Sequence, residues 1–342
     1  MIVGVDTVHA KPGYEERFIR RVLETVRGLQ TNTRFVVFTC EDSAEVYESW
    51  PRVIVGAPGR ARLSGADDID HVVRKSKVDM LLAPLAAASA SPPAPQVLYA
   101  LELSAWERDP ETGKAPAARI KAAKKACAQA RALFVPSEYL RRRCLELLEA
   151  PIDRTIVGPP GVDPVFSIVQ KPLLDDPYVL LFYDAATAAF VPQVCEIFVR
   201  REKEFPHTLV VAGPMLEGEP IAWGPRIIRV DQCPDTILAS LFRHAALCIY
   251  PAIHDGSAMR ILEALRAGAI VATPHAGGAT ELAGDAPFYY NPDSSASMIQ
   301  AVRWALELEG PQRKQRIHMG QGTAAKYAWE KTAWKLLSAL KR

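Results

Sequence analysis

The sequence has no apolar run of eighteen residues, so no segment is expected to cross a membrane as a helix. Its start lacks a basic stretch followed by an apolar block. Met1-Ile2-Val3-Gly4-Val5-Asp6 therefore reads as a first strand, not a signal peptide. No large charge of either sign is present: 41 Lys and Arg face 39 Asp and Glu, and a net charge of +2 gives no electrostatic case for nucleic acid. Aromatic residues do not interleave with the basic runs, so the stacking platforms of single-strand binders are not expected either. The six cysteines (Cys40, Cys127, Cys144, Cys195, Cys233, Cys248) form no CxxC pair. They are expected as reduced thiols in a cytoplasmic protein, with no metal site.

What is present is a full complement of core formers. Hydrophobic residues make up 49% and charged residues 23%, ordinary for a globular protein. A length of 342 residues suggests two domains, at roughly 100–200 residues each. Short apolar runs at 2–5, 35–38, 52–55, 80–83, 96–100, 132–135 and 155–157 suit buried strands. Helical patterns lie between several of them, at 15–29, 67–75, 117–130 and 138–148, and Ser137 is placed to cap the last. The alternation then restarts, with strands at 179–182, 208–212, 227–230, 246–251 and 269–273 and helices at 193–205, 234–245, 294–308 and 313–341. Proline-rich 164–177 is the linker expected between the halves. The expected architecture is α/β: two doubly wound, parallel-sheet domains facing a cleft. They span 1–165 and 166–325, and a C-terminal helix at 326–342 packs back on the first.

One stretch organises the second half. Asp255-Gly256-Ser257-Ala258-Met259-Arg260-Ile261-Leu262-Glu263 follows one apolar strand and precedes another, making a βαβ unit. Asp255 stands at a strand's carboxyl end, where such units bind ligands, and Glu263 lies about two helical turns further on. Other readings of these residues stand beside this one. Asp255 can be a plain helix cap. Glu263 can pair with Arg260 or Arg266 on a solvated face. The loop Pro274-His275-Ala276-Gly277-Gly278 can be a turn or a backbone nest for anions.

Six segments in register resemble the family 4-type glycosyltransferases of GT-B fold. They are Val135-Pro136-Ser137-Glu138-Tyr139-Leu140-Arg141-Arg142, Val157-Gly158-Pro159-Pro160-Gly161-Val162-Asp163, Leu209-Val210-Val211-Ala212-Gly213-Pro214, the Asp255 stretch, Thr280-Glu281-Leu282-Ala283-Gly284-Asp285-Ala286, and Ala328-Trp329-Glu330. The resemblance runs from about residue 130 onward. It implies a retaining transfer of a hexosyl unit from a nucleotide-diphosphate sugar to a sugar, lipid-linked or small-molecule acceptor, with no cofactor and no required metal. By the same resemblance Glu263 receives the ribose hydroxyls, a task a carboxylate can perform with two hydrogen bonds. Asp255 faces the donor sugar, one methylene shorter than the family's Glu. Gly256, Ser257 and Ala258, at the helix start, lie near the phosphates, with Ala258 where the family has a second glycine. Gly213, Thr280 and Glu281 match further donor positions.

The chain departs from that pattern in two places. The family places an Arg and a Lys after the first strand of the second domain, where this chain reads Tyr183-Asp184-Ala185-Ala186-Thr187. It has no cation there and gains an acid. Arg260, one turn into the helix after Asp255, is the residue expected to replace that charge; the alternative is a solvent arginine paired with Glu263. The family's first-domain histidine is missing as well. Glu102 or Glu107 is the expected substitute toward acceptor hydroxyls, and His9, beside Lys11 and Gly13, is the expected acid/base. His254 and His275 are weaker candidates.

Two readings follow. The first is a glycosyltransferase that binds a nucleotide-sugar and a saccharide acceptor. The second is a catalytically silent GT-B protein that serves as a binding or scaffolding subunit of an active protein partner. The basic residues of 117–143 suit either an anionic membrane surface or a solvated face.

Overall fold

The computed structural model describes residues 1–11, 13–29, 31–55, 69–89, 91–107, 116–184, 186–214, 224–231 and 233–341. Two compact units emerge, Met1–Pro160 together with the segment from Trp329 onward, and Gly161–Ala328.

The first unit runs β1 (Ile2–Asp6), α1 (Tyr14–Gly28), β2 (Arg34–Thr39), β3 (Arg52–Ile54), α2 (Ile69–Ser76), β4 (Met80–Pro84), β5 (Gln96–Tyr99), α3 (Ser104–Glu107), α4 (Ala117–Gln129), β6 (Ala132–Val135), α5 (Glu138–Leu148) and β7 (Thr155–Val157). All seven strands are parallel, in the order β3-β2-β1-β4-β5-β6-β7. β4, β5 and β6 are buried along their whole length, which is why they read as unbroken apolar runs. α1 buries Phe18, Ile19, Val22, Leu23 and Val26, one helical stripe. Ser137 caps α5 as expected, its Oγ accepting from the Leu140 N–H at 3.2 Å.

The second unit runs β8 (Tyr178–Phe182), α6 (Val191–Arg200), β9 (Thr208–Ala212), β10 (Ile227–Val230), α7 (Asp235–His244), β11 (Leu247–Ile249), α8 (Met259–Ala267), β12 (Val271–Pro274), α9 (Ala279–Leu282), β13 (Phe288–Tyr290), α10 (Ser295–Leu306) and α11 (Gly310–Ala324). Its parallel sheet has the order β10-β9-β8-β11-β12-β13. In both sheets the order reverses beside the first strand, between β1 and β4 and between β8 and β11. These switch points are where doubly wound sheets place ligands.

Three features differ from the sequence reading. The helix expected from Arg313 to Lys341 is two helices, α11 and then α12 (Trp329–Leu340). The break falls where the chain changes units. Tyr327 donates its hydroxyl to the Leu282 carbonyl at 2.8 Å in the second unit, whereas Trp329 packs edge-on against Phe18 of the first, ring centres 5.7 Å apart. The proline-rich stretch 164–177 is not a free linker. Phe166 is fully buried in the core of the second unit, Arg266 Nε donates to Ser167 Oγ at 2.6 Å, and Ser240 Oγ donates to the Lys171 carbonyl. β13 was not expected, because Phe288, Tyr289 and Tyr290 are a short run following a turn. The start expected for α2 at Asp67 lies outside the described residues. No described helix is long and apolar enough to cross a membrane.

Candidate functional site

In the second unit, the residues with chemistry gather at the switch point. β8 ends at Phe182 and delivers Asp184 two residues later. β11 ends at Ile249 and delivers Tyr250 and then Asp255. Asp184 Oδ1 accepts the Ala186 and Thr187 N–H groups at 2.9 and 3.1 Å, so the turn after β8 closes on its own carboxylate. The Tyr250 hydroxyl stands 3.2 Å from Asp184 Oδ2 and 3.3 Å from Asp255 Oδ2. Asp255 Oδ1 accepts from the Ser257 N–H at 2.7 Å and from its hydroxyl at 2.8 Å.

Burial raises both carboxyls. It pushes Asp184 above the usual range despite the nearby Arg260 guanidinium, and Asp255 above it despite the bonds from Ser257. Burial also lifts the Tyr250 phenol well above its ordinary value, and the two carboxylates add to it.

α8 supplies the other half. Glu263 is only 1% exposed, and Arg260 Nη1 donates to its Oε2 at 2.9 Å. The ion pair foreseen as an alternative is thus present, but it is buried rather than on a solvated face. The same guanidinium lies 4.7 Å from the centre of the Phe182 ring, at the end of β8. Its Nε is buried without a hydrogen-bond partner among the described residues.

Backbone geometry fixes the loop ahead of α8. Ala258 caps the helix in a left-handed conformation, φ 48° and ψ 22°, which a glycine would adopt without cost. The loop after β12 packs directly on it. The Gly278 N–H donates to the Asp255 carbonyl at 2.8 Å, and a Cβ on Gly278 would fall 2.3 Å from the Gly256 carbonyl oxygen. Close packing is therefore the role visible for the Gly277-Gly278 turn. Gly213, after β9, meets a similar constraint. Its φ is 139°, and a Cβ there would lie 2.0 Å from the Tyr183 carbonyl oxygen. Thr280 and Glu281 lie on α9, directly after this turn; Thr280 is half-buried and Glu281 exposed. His254 is exposed, and His275 stands edge-on to Tyr289 at 5.3 Å.

The first unit holds its own cluster at the carboxyl ends of β1 and β5. His9 Nδ1 is 2.9 Å from Asp6 Oδ2, and the His9 N–H reaches Asp6 Oδ1 at 3.2 Å. Lys11 pairs with Glu102, and the Glu102 Oε2 also accepts the Ser104 N–H at 2.6 Å. Burial alone would raise the Glu102 carboxyl, but Lys11 and Ser104 outweigh it and hold it below the usual range. Buried Glu15 accepts the Lys11 N–H at 2.8 Å. Burial pushes its carboxyl up to about 7, against the pull of that N–H and of the Lys11 ammonium. The hydroxyls of Tyr47 and Tyr99 are buried here without a partner among the described residues. Gly13 starts α1 with φ 90°. Glu107 is elsewhere, bound by Arg143 at 2.8 Å. Part of the basic stretch 117–143 is compensated in the same way: Lys124 pairs with Glu149, Arg141 with Glu138, and Arg143 also with Glu146.

Sequence reasoning passed over Asp6 and Tyr250. Each stands at the end of a buried strand within a few residues of a residue already singled out, and a polar group closing such a strand was the available signal. Among the described residues, no group of three His, Cys, Asp or Glu side chains could hold a metal ion.

Residues 184–307, which carry all of the second-unit cluster, match the family model for Glycosyl transferases group 1. No curated protein matches the chain in sequence. Among solved structures, sucrose-phosphate synthase from Thermosynechococcus elongatus superposes with a TM-score of 0.77 at 14% identity, covering 100% of this chain and 98% of that one. HepE from Anabaena, solved with UDP and glucose, gives 0.78 at 15%, covering 100% and 99%. WaaG, a glycosyltransferase involved in lipopolysaccharide biosynthesis, gives 0.74 at 15%, covering 99% of each. The fold is that of the GT-B glycosyltransferases.

Proposed function

We propose that this chain transfers a glycosyl unit from a nucleotide sugar to a saccharide or lipid-linked acceptor. The observation that carries the reading is the meeting of Asp184, Tyr250, Asp255, Arg260 and Glu263 at the switch point of the second unit, within the segment that matches the glycosyltransferase model. Glu263 receives the ribose hydroxyls, held in orientation by Arg260. Asp255, fixed by Ser257, faces the sugar. In the first unit His9, held by Asp6, accepts a proton from the acceptor hydroxyl. The carboxylate of Glu102 offers that acceptor a further polar partner. Retention at the anomeric carbon follows from the family resemblance. HepE, solved with UDP and glucose, supports a nucleotide and a sugar as ligands.

One observation favours the silent alternative: the turn after β8 presents Asp184 and no cation. Thermal melting with a panel of nucleotide sugars separates the two readings, since a ligand of the folded state raises the midpoint by mass action. A transferase is expected to shift with at least one donor and to hydrolyse it slowly without acceptor. No shift with any donor at millimolar concentration would overturn the reading.

A further inference from the structure

We propose that Asp184, Tyr250 and Asp255 form a proton-coupled phosphate contact. Resting on the nucleotide-sugar reading above, the group takes up a proton when a nucleotide-diphosphate sugar binds, and Asp184 meets the diphosphate as a neutral acid.

The two carboxyl groups are built alike. Asp184 Oδ1 is occupied by the Ala186 and Thr187 N–H groups, and Asp255 Oδ1 by the Ser257 N–H and hydroxyl. Each keeps Oδ2 as the oxygen that can gain a proton. Both Oδ2 atoms face the hydroxyl of Tyr250, at 3.2 and 3.3 Å. Three oxygens joined by two hydrogen bonds need two hydrogens. The phenol brings one, and the other comes from a carboxyl. The line is complete when the pair as a whole holds one proton, so the pair titrates as a unit.

Asp184 follows β8 at the switch point and is the less buried of the two, so an entering phosphate meets it rather than Asp255. The groups around it do not neutralise it. Arg260, on α8, lies near Asp184 but is paired with Glu263 and lies over Phe182. Cys233, ahead of α7, is a thiol that burial keeps protonated at neutral pH, and Asp231 beyond it pairs with Arg229. An approaching diphosphate therefore opposes the ionised pair, and a proton bound from solvent relieves the repulsion. Burial already favours the neutral form of both carboxyls, ahead of every other influence on them. As an acid, Asp184 donates a hydrogen bond that its carboxylate could not, and Tyr250 turns its own hydrogen to Asp255. Binding that draws in a proton strengthens as pH falls, by at most about tenfold per pH unit. The gain lies between the values at which the bound and the free pair lose their proton.

Calorimetric titration of the full chain with UDP-glucose, GDP-mannose and ADP-glucose tests this. Repeating it at pH 6, 7 and 8 in buffers of different ionisation enthalpy counts the protons taken up. The diester diphosphates of these ligands do not titrate in that range. For the ligand that binds, the parent is expected to take up more than about 0.3 proton per molecule at one or more of these pH values, and to bind more tightly at pH 6 than at pH 8. Asp184→Asn carries its hydrogen permanently: Oδ1 still accepts from the turn, and the amide donates where the acid would. It should bind at pH 8 at least as tightly as the parent and change less than twofold down to pH 6. A parent whose uptake stays below about 0.3 proton at all three pH values overturns the proposal, whether or not the variant folds. So does a folded Asp184→Asn variant that keeps the parent's uptake, since it retains every histidine. If no nucleotide sugar binds either the parent or a folded variant, the nucleotide reading fails and the inference with it, a result distinct from binding without proton uptake.

Discussion

Asp184 and Asp255 meet at a single hydroxyl, with Tyr250 Oη 3.2 Å from one carboxylate and 3.3 Å from the other. A phenol has one hydrogen and can donate to only one of them at a time. The second contact becomes favourable when the other carboxyl keeps its own proton and donates it to the phenol. The raised position of both carboxyls, caused first by burial, agrees with a shared proton.

A pH signature in stability follows. Between the ordinary Asp range, about 3.9, and the raised folded value, the folded state binds more protons than the unfolded chain. Stability therefore falls as pH rises through that window and levels off above it. Asp255→Asn removes this penalty while its amide oxygen still accepts from Ser257. Calorimetric melting should show the variant gaining on the parent from pH 4 to pH 7. A difference that stays constant with pH would contradict the assignment.

Glu15 should act the same way in the first unit, over a window bounded by the ordinary Glu value and about 7. The folded state again holds the extra proton, so stability drops as pH rises through that range. The loss is on the order of 3 kcal/mol once pH exceeds both values. Glu15→Gln should melt higher than the parent at pH 8 and lose that advantage by pH 4.

Arg260 and Glu263 form a buried ion pair at 2.9 Å. Removing one partner of such a pair costs about 3–5 kcal/mol, because the other charge stays buried. Arg260→Ala is expected to lower stability by that order in denaturant unfolding. Adding Glu263→Gln to the same chain should restore part of it. A double-mutant cycle with coupling below about 0.5 kcal/mol would show that the two residues do not act as a pair.

Gly278 packs on the backbone of Gly256, where a Cβ would fall 2.3 Å from a carbonyl oxygen. Gly278→Ala must displace the loop that carries Asp255, and a loss of about 3 kcal/mol is expected. Gly28→Ala serves as the control. Nothing lies within 4 Å of the added carbon, and the change should be neutral or stabilising by up to about 1 kcal/mol.

The sequence made the sheets legible because parallel strands buried on both faces are short, uninterrupted apolar runs, such as 178–182 and 132–135. Asp255 and Glu263 were legible from spacing alone. Their environment was not. Whether Arg260 faces solvent or lies over Phe182 depends on a strand 78 positions earlier in the chain, which helical periodicity cannot report. The left-handed cap at Ala258 was hidden for a related reason: an alanine there gives no local sign of the conformation a glycine would have announced. The linker reading failed on one residue. Prolines exclude regular structure, but they do not exclude packing, and Phe166 anchors the segment.

The separation of α12 from the rest of the first unit has a consequence for synthesis. Trp329 covers Phe18, and Lys335 Nζ donates to the Val157 carbonyl at 2.7 Å, so the last helix completes a core begun at the first strand. At the ribosome that core must wait until the whole second unit has been translated, roughly ten to thirty seconds at ordinary elongation rates. The second unit is one uninterrupted stretch of chain and faces no such delay. The half made first is thus the half finished last, with Phe18 lacking its Trp329 contact in the interval.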